Sequence, residues 1–235
     1  MEYLSDIELY FTQFIQNDSH ALIGDDEFKH ITRVMRHTVG DEIYFTNGKG
    51  SIFKGNIFSI GKDNLNVSIK ERYNYLNKFS NIIFCLPKLK NPDRFEFALE
   101  KCVEFGITRF VVFNSSRSFT KGEKLERWNK ITLAAMKQSL RCFLPVVENV
   151  VGFNELIKLP GEKILFDQNA DKKLSDFKFD ETQTYFFIFG PEGGLSEAEL
   201  KSSNGGEVYK LAENRLRSET AVVKCAAVLS ELLPG

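Results

Sequence analysis

The sequence is poor in the residues that carry metal and disulfide chemistry. It has three histidines in 235 residues, and His20, His30 and His37 all fall in the first part of the chain. A histidine-based metal or acid/base centre in the remainder is therefore not expected. The four cysteines, Cys85, Cys102, Cys142 and Cys225, each sit in an apolar stretch without paired ligand spacing. They read as buried free thiols of a reducing compartment, not as a disulfide framework or zinc site. No apolar run approaches the length of a membrane span, and Met1–Asp6 lacks a basic segment leading into an apolar core, so a cytoplasmic location is expected. There is also no excess charge. A formal net charge of -1 gives no global attraction to nucleic acid, so any RNA contact must come from local basic patches.

What is abundant is apolar residues, at 43% of the chain, with 22 phenylalanines among them. That content supplies a sizeable core for one large domain or two modest ones.

The chain reads around Tyr185–Phe189, a short aromatic run that stops at Gly190-Pro191-Glu192-Gly193-Gly194. The run predicts a buried strand and the glycine segment its exit loop. Ser196 and Glu199 form a capping-box pattern that starts a helix. A loop at the carboxyl end of a buried strand, followed by a helix start, is where open α/β sheets bind ligands. It lacks the Gly-Lys-Ser/Thr ending of a nucleotide phosphate loop and the spacing of a dinucleotide fingerprint.

Before this point the periodicity changes once. Phe28, Ile31, Val34 and Met35 predict one apolar face of a helix after Asp25-Asp26. Glu42–Thr46 and Ser51–Ile60, joined through Asn47-Gly48, predict a hairpin, and Leu65, Val67 and Ile69 alternate with polar residues in a further strand. Strands at this spacing suggest a small barrel. Tyr73 to Ser80 has no clear period and reads as a linker. After it, Ile82–Leu86 is a continuous apolar strand, and the basic loop Pro87–Pro92 follows. A helical stripe over Phe95, Ala98, Leu99, Cys102 and Val103 ends at Gly106, and Ile107–Phe113 is a second buried strand. Strand, helix and strand in this order imply a parallel crossover in an α/β sheet. A long helix over Lys124 to Leu140 with Trp128 inward, a strand at Lys163–Asp167, a strand at Glu207–Leu211 and a last helix through Val222, Cys225 and Leu229 complete the prediction.

A second segment, Leu211 to Ala221 with the core Leu216-Arg217-Ser218-Glu219-Thr220-Ala221, combines with the glycine loop into a specific signature. Together they resemble the RsmE family, 16S ribosomal RNA (uracil-N3)-methyltransferases of the SPOUT class. Lys101–Gly106, Arg127-Trp128 and Gln138-Ser139-Leu140-Arg141 are similar to further family segments. His30-x-x-Arg33-Val34-Met35-Arg36, Gly40-Asp41 and Asn47–Gly50 resemble its N-terminal PUA-like module.

The resemblance implies a PUA-like RNA-binding β-barrel over residues 1–72. It also implies a SPOUT methyltransferase domain over 73–235, an α/β parallel sheet with a trefoil knot. It further implies S-adenosyl-L-methionine as cofactor, small-subunit ribosomal RNA or the subunit as substrate, and a homodimer. Carried over residue by residue, the cofactor site is Leu165, Phe166, Gly190, Glu192, Gly193, Gly194, Leu211, Asn214, Leu216 and Arg217. Here Ala212, Asn214 and Arg215 depart from the family's usual third loop. Arg217 is the candidate for stabilising charge on the uracil, and Glu192 for facing the sulfonium or accepting the proton. Arg33, Arg36, Lys49, Lys88, Arg117 and Arg141 are the RNA-binding candidates. A non-catalytic ribosomal-RNA-binding or assembly factor is the alternative that the same residues would allow.

Overall fold

The computed structural model describes residues 4–118, 124–149, 152–203 and 206–233. They divide into two units, Met1–Asn77 with Met136–Leu144, and Lys78–Ala135 with Pro145–Gly235.

The first unit is a six-stranded mixed sheet. Its strands are β1 (Leu9–Phe11), β2 (Phe14–Gln16), β3 (His20–Gly24), β4 (Glu42–Thr46), β5 (Ser51–Ile60) and β6 (Asn64–Asn74), in the order β1-β4-β5-β6-β3-β2. The two edge strands adjoin in sequence, and Thr12 lies at the bend between them. Its backbone N–H donates to Thr46 O at 3.0 Å, while its hydroxyl donates to Leu22 O at 2.6 Å. One buried threonine thus links β4 to β3 across the two edges of a curled sheet, a half-barrel where the strand spacing suggests a small barrel. β1 and β2, of three residues each, are too short to show a period in the sequence.

The interior is filled by Ile23, Ile43, Phe45, Phe53, Leu65 and Val67, the inward residues of alternating strands. Helix α1 (Asp25–Lys29) continues into a π turn at His30–Val34. Phe28 and Ile31 are buried there as expected, but Val34 and Met35 are 64% and 44% exposed. The π turn is the reason: Met35 N–H bonds to His30 O, five residues back. Each such turn holds one residue more than an α turn, and the residues after it rotate off the inward stripe.

Cys142, Leu140 and Phe143 pack on Leu9, Ile52, Tyr44, Tyr73 and Tyr75. Gly50 N–H bonds to Cys142 O and Leu144 N–H to Gly48 O, so Met136–Leu144 joins this unit although it is distant in sequence. Strand β6 runs through the position at 72 where the first domain was expected to end.

The second unit is a seven-stranded parallel sheet. β7 (Ile82–Pro87), β8 (Arg109–Phe113), β9 (Val146–Asn149), β10 (Glu162–Phe166), β11 (Lys172–Lys173), β12 (Tyr185–Ile188) and β13 (Glu207–Lys210) lie in the order β11-β13-β10-β12-β7-β8-β9. Every recorded pairing is parallel, as the apolar runs predict. β12 is buried along its length between β10 and β7, with Phe187 tilted against Phe84 and stacked near Phe166.

Helix α2 (Pro92–Glu104) starts on an Asn91 cap, whose side chain accepts from Asp93 N–H, and ends at Gly106 with φ +100°. It packs on the last helix, α6 (Ser218–Leu232). Helices α3 (Leu125–Gln138), α4 (Phe153–Leu156) and α5 (Glu197–Ser202) complete the set, with Trp128 of α3 tilted against Phe95 at 4.8 Å between ring centroids.

The four cysteines are free and buried, and burial pushes the Cys142 thiol up to about 11. Among the described residues no helix is long and apolar enough to cross a membrane, and no cluster of three or more metal-ligating side chains occurs.

Candidate active site

The exits of β10, β12 and β13 lie side by side at the carboxyl edge of the parallel sheet. Between them is a cavity of about 390 Å³. Phe166 ends β10, Phe189 follows β12, and their rings stack 4.9 Å apart at 19° as one apolar wall. Gly190–Gly194 forms the second side, and Leu211, Ala212, Asn214, Arg215 and Leu216 form the third.

Two glycines in the loop have distinct reasons. A Cβ at Gly190 would lie 2.9 Å from Leu195 N and 3.0 Å from Gly194 Cα, so the loop folds over it only without a side chain. Gly194 has φ +69°, the left-handed region that suits glycine, and its N–H closes the turn on Pro191 O at 2.8 Å.

Three tethers hold the loop. Ser218, buried at the start of α6, donates from its hydroxyl to Gly190 O at 2.7 Å. The Arg117 guanidinium donates to Gly193 O. Glu192 Oε1 accepts the Lys90 N–H at 3.1 Å, which ties the basic loop after β7 to the glycine loop.

The first tether can be tested by Ser218→Ala. It leaves Gly190 O short of a donor in a half-buried setting, a loss of about 1 kcal/mol. Cofactor affinity is expected to fall about fivefold by calorimetry.

Glu199 anchors the whole arrangement. Its carboxylate accepts from Ser196 N–H at 2.8 Å, which with Ser196 Oγ completes the capping box predicted at α5, and from Ser116 N–H at 2.8 Å. The Ser115 and Ser116 hydroxyls donate to it as well. Burial pushes its acidity down, but these donors outweigh burial and hold the carboxyl below its usual range. The Asn114–Ser118 turn, with Arg117, is thereby fixed beside the cavity.

Of the cofactor residues expected from the sequence, Phe166, Gly190, Glu192, Gly193, Gly194, Leu211, Asn214 and Leu216 line this one cavity. Two do not. Leu165 points into the core among Ile83, Cys85, Val111 and Ile188, because successive residues of a strand face opposite sides of the sheet. Arg217 is the cap residue preceding α6; its side chain is exposed and lies outside the cavity lining.

The RNA candidates divide between the units. Arg33, Arg36, Lys49 and Arg141 are exposed residues of the first. Lys88 and Arg117 belong to the second, where Lys88 is only 8% exposed and Arg117 is a wall of the cavity. Lys88 therefore does not present the open cation that its place in a basic loop suggested.

Sequence reasoning missed Asp167, Gln168 and Asn169, which line the cavity at the exit of β10. Their position at and directly after the end of an apolar run was the available signal, but Asp167 was expected only as the last residue of a strand. It also missed the bond of Ser218 to Gly190, 28 positions away, and the reach of Glu199 to Ser115 and Ser116 over more than 80, since bonds of such span leave no local pattern.

The sequence pattern of the RNA methyltransferase domain matches residues 77–230, and that of the RNA methyltransferase PUA domain matches residues 23–70. The chain belongs to the RsmE-type RNA methyltransferase family. This methyltransferase is 28% identical to ribosomal RNA small subunit methyltransferase E of Bacillus subtilis, over 97% of each chain. Its structure resembles that of a probable rRNA-methyltransferase from Porphyromonas gingivalis, with TM-score 0.85, 29% identity and 97% and 98% of the two chains covered. It also resembles ribosomal RNA small subunit methyltransferase E from Neisseria gonorrhoeae bound to S-adenosyl methionine, with TM-score 0.84, 25% identity and 96% and 98% covered. The SPOUT-like parallel sheet and the PUA-like module expected from the motifs are both present. For a methyltransferase the cavity has suitable walls: stacked aromatic faces on one side, close backbone on the other, and polar side chains of Asp167, Gln168, Asn169 and Asn214 around it.

Proposed function

We propose that this chain transfers a methyl group from S-adenosyl-L-methionine to N3 of a uridine in small-subunit ribosomal RNA, acting as a homodimer. The observation that carries the reading is the convergence of the three strand-exit loops on one cavity, with Gly190 packed too closely for any side chain. Such a site takes a flat heterocycle between apolar walls and meets its polar edge with backbone groups. The cofactor, when bound, supplies an electrophilic methyl group.

The chain's own contribution is positioning and charge. Uridine N3 is a weak acid on the pairing edge, so the base must be unpaired and held in line with the methyl group. The Arg217 side chain has no hydrogen-bond or ion-pair partner among the described residues and follows directly on the third loop, so its guanidinium is available to the substrate. It stabilises negative charge on the uracil as the N3 proton leaves, as a preorganised cation does. Glu192 has one oxygen committed to Lys90 N–H, which leaves Oε2 to face the cavity and accept that proton.

Labelled methyl transfer to small subunits from a strain lacking the modification, followed by nucleoside analysis, tests the reading. Label in 3-methyluridine is expected. Label in another nucleoside would replace the target, and no label on intact subunits would leave an RNA-binding factor. In the same assay Arg217→Ala is expected to lower turnover by about 10²–10³-fold with cofactor affinity within about twofold of the parent. Unchanged turnover would remove Arg217 from the mechanism.

A further inference from the structure

The π turn at His30–Val34 does more than displace two apolar residues from the core. Two consecutive large apolar side chains, Val34 and Met35, are 64% and 44% exposed at its end. The backbone beneath them is fixed on both sides. Before them, Ile31 is fully buried and the Thr32 hydroxyl donates to Phe28 O at 2.7 Å. After them, His37 N–H bonds to Ile31 O at 3.0 Å, and the His37 ring stands edge-on to buried Tyr10. Arg36 adopts φ +60°, a conformation that an arginine takes at a cost, so the turn is held by its surroundings and not by local preference.

Arg33 and Arg36 flank the pair, both exposed. Neither guanidinium has an ion-pair or hydrogen-bond partner among the described residues, whereas neighbouring Lys29 pairs with Asp26 and His30 with Glu8. An apolar apex between two uncommitted guanidinium groups is unfavourable in water, and it complements a polyanion that also offers apolar faces. Single-stranded nucleic acid has both: phosphates for the arginines and unstacked bases for the apex.

We propose that Val34 and Met35 form an apolar wedge that packs between unpaired bases of the RNA while Arg33 and Arg36 hold the phosphates on either side. The π turn is the device that aims the wedge outward, since an α-helical continuation would have turned both side chains to the core. The inference rests on the methyltransferase reading in one respect, that the substrate is an RNA presenting an unpaired uridine. The wedge unstacks the RNA where the first unit holds it, and enzymes that act on the pairing edge require an unpaired base.

The test compares Val34→Ser/Met35→Ser, Arg33→Ala/Arg36→Ala and the conservative Met35→Leu in the full chain. The probes are small subunits lacking the modification and protein-free 16S ribosomal RNA, titrated at several salt concentrations. The serine variant is expected to bind both probes about tenfold more weakly with an unchanged salt slope, because it loses apolar contact and no charge. The alanine variant is expected to show a salt slope shallower by about two, and Met35→Leu to bind like the parent. Thermal melting of all variants should match the parent, since the side chains are exposed.

Parent-like affinity of the serine variant for both probes would overturn the wedge while leaving methyl transfer intact. Loss confined to the subunit, with free RNA unaffected, would assign the patch to a ribosomal protein and also overturn it. If the parent transfers no methyl group, the function falls separately, and weaker RNA binding by the serine variant still supports the wedge.

Discussion

Replacing Gly190 by alanine is expected to lower S-adenosylmethionine affinity by about tenfold to hundredfold, measured by calorimetry. The added Cβ would sit 2.9 Å from Leu195 N and 3.0 Å from Gly194 Cα, and these are backbone atoms that cannot swing aside. The loop must open by several tenths of an ångström. Forcing a methyl into a filled site costs roughly 1–3 kcal/mol, and each 1.4 kcal/mol is a factor of about ten in affinity. The opening also pulls on the Ser218 bond to Gly190 O, so both sides of the cavity shift together. The first unit, which shares no strand with the loop, should melt as in the parent. Cofactor affinity within twofold of the parent would show that the loop backbone does not line the bound cofactor.

The second large effect is expected at Glu199. Its carboxylate receives two backbone N–H groups and three hydroxyls, from Ser115, Ser116 and Ser196. Glu199→Gln keeps the shape but replaces one acceptor oxygen with a donor that faces donors. Hydrogen bonds to a buried charge are worth about 1.5–3 kcal/mol each, and part of the loss is recovered by rearrangement. A destabilisation of about 3 kcal/mol is expected, a fall of roughly 6–12 °C in melting temperature for a chain of this size. Because the Ser116–Arg117 turn is released, Arg117 loses its hold on Gly193 O, and cofactor affinity falls with stability.

The pH dependence has a definite sign. The folded carboxyl titrates below its ordinary value near 4.5, so its stabilisation is fully present above that value and is lost as pH falls through the folded one. The gap in stability between parent and Glu199→Gln should therefore be constant at neutral pH and shrink below about pH 4.5. A gap that widens on acidification would contradict the assigned ionisation.

The sequence by itself determined the strands and helices whose pattern is local and strong. β4 and β5 have the ends predicted, the Ser196–Glu199 capping box is formed, and Gly106 ends α2 as read. These are set by alternation, by turn residues and by side chains bonding their own backbone, all within a few positions. The motifs around Gly190 and Leu216 likewise hold residues that line the cavity.

Tertiary structure decided the rest, wherever partners distant in sequence compete with local preference. Val34 and Met35 fit an inward stripe by period, yet a π turn sends them outward. Leu165 and Phe166 are equally apolar neighbours, and only the orientation of the strand sends one to the core and the other to the cavity. Lys88 reads as a basic loop residue and is buried. Thr12 has no local signature at all, and the capping box that marks Glu199 gives no sign of its reach to Ser115 and Ser116. Each joins segments that meet only after the chain has folded, which is why the link between the edges of the first sheet and the bracing of the cavity could not be read along the chain.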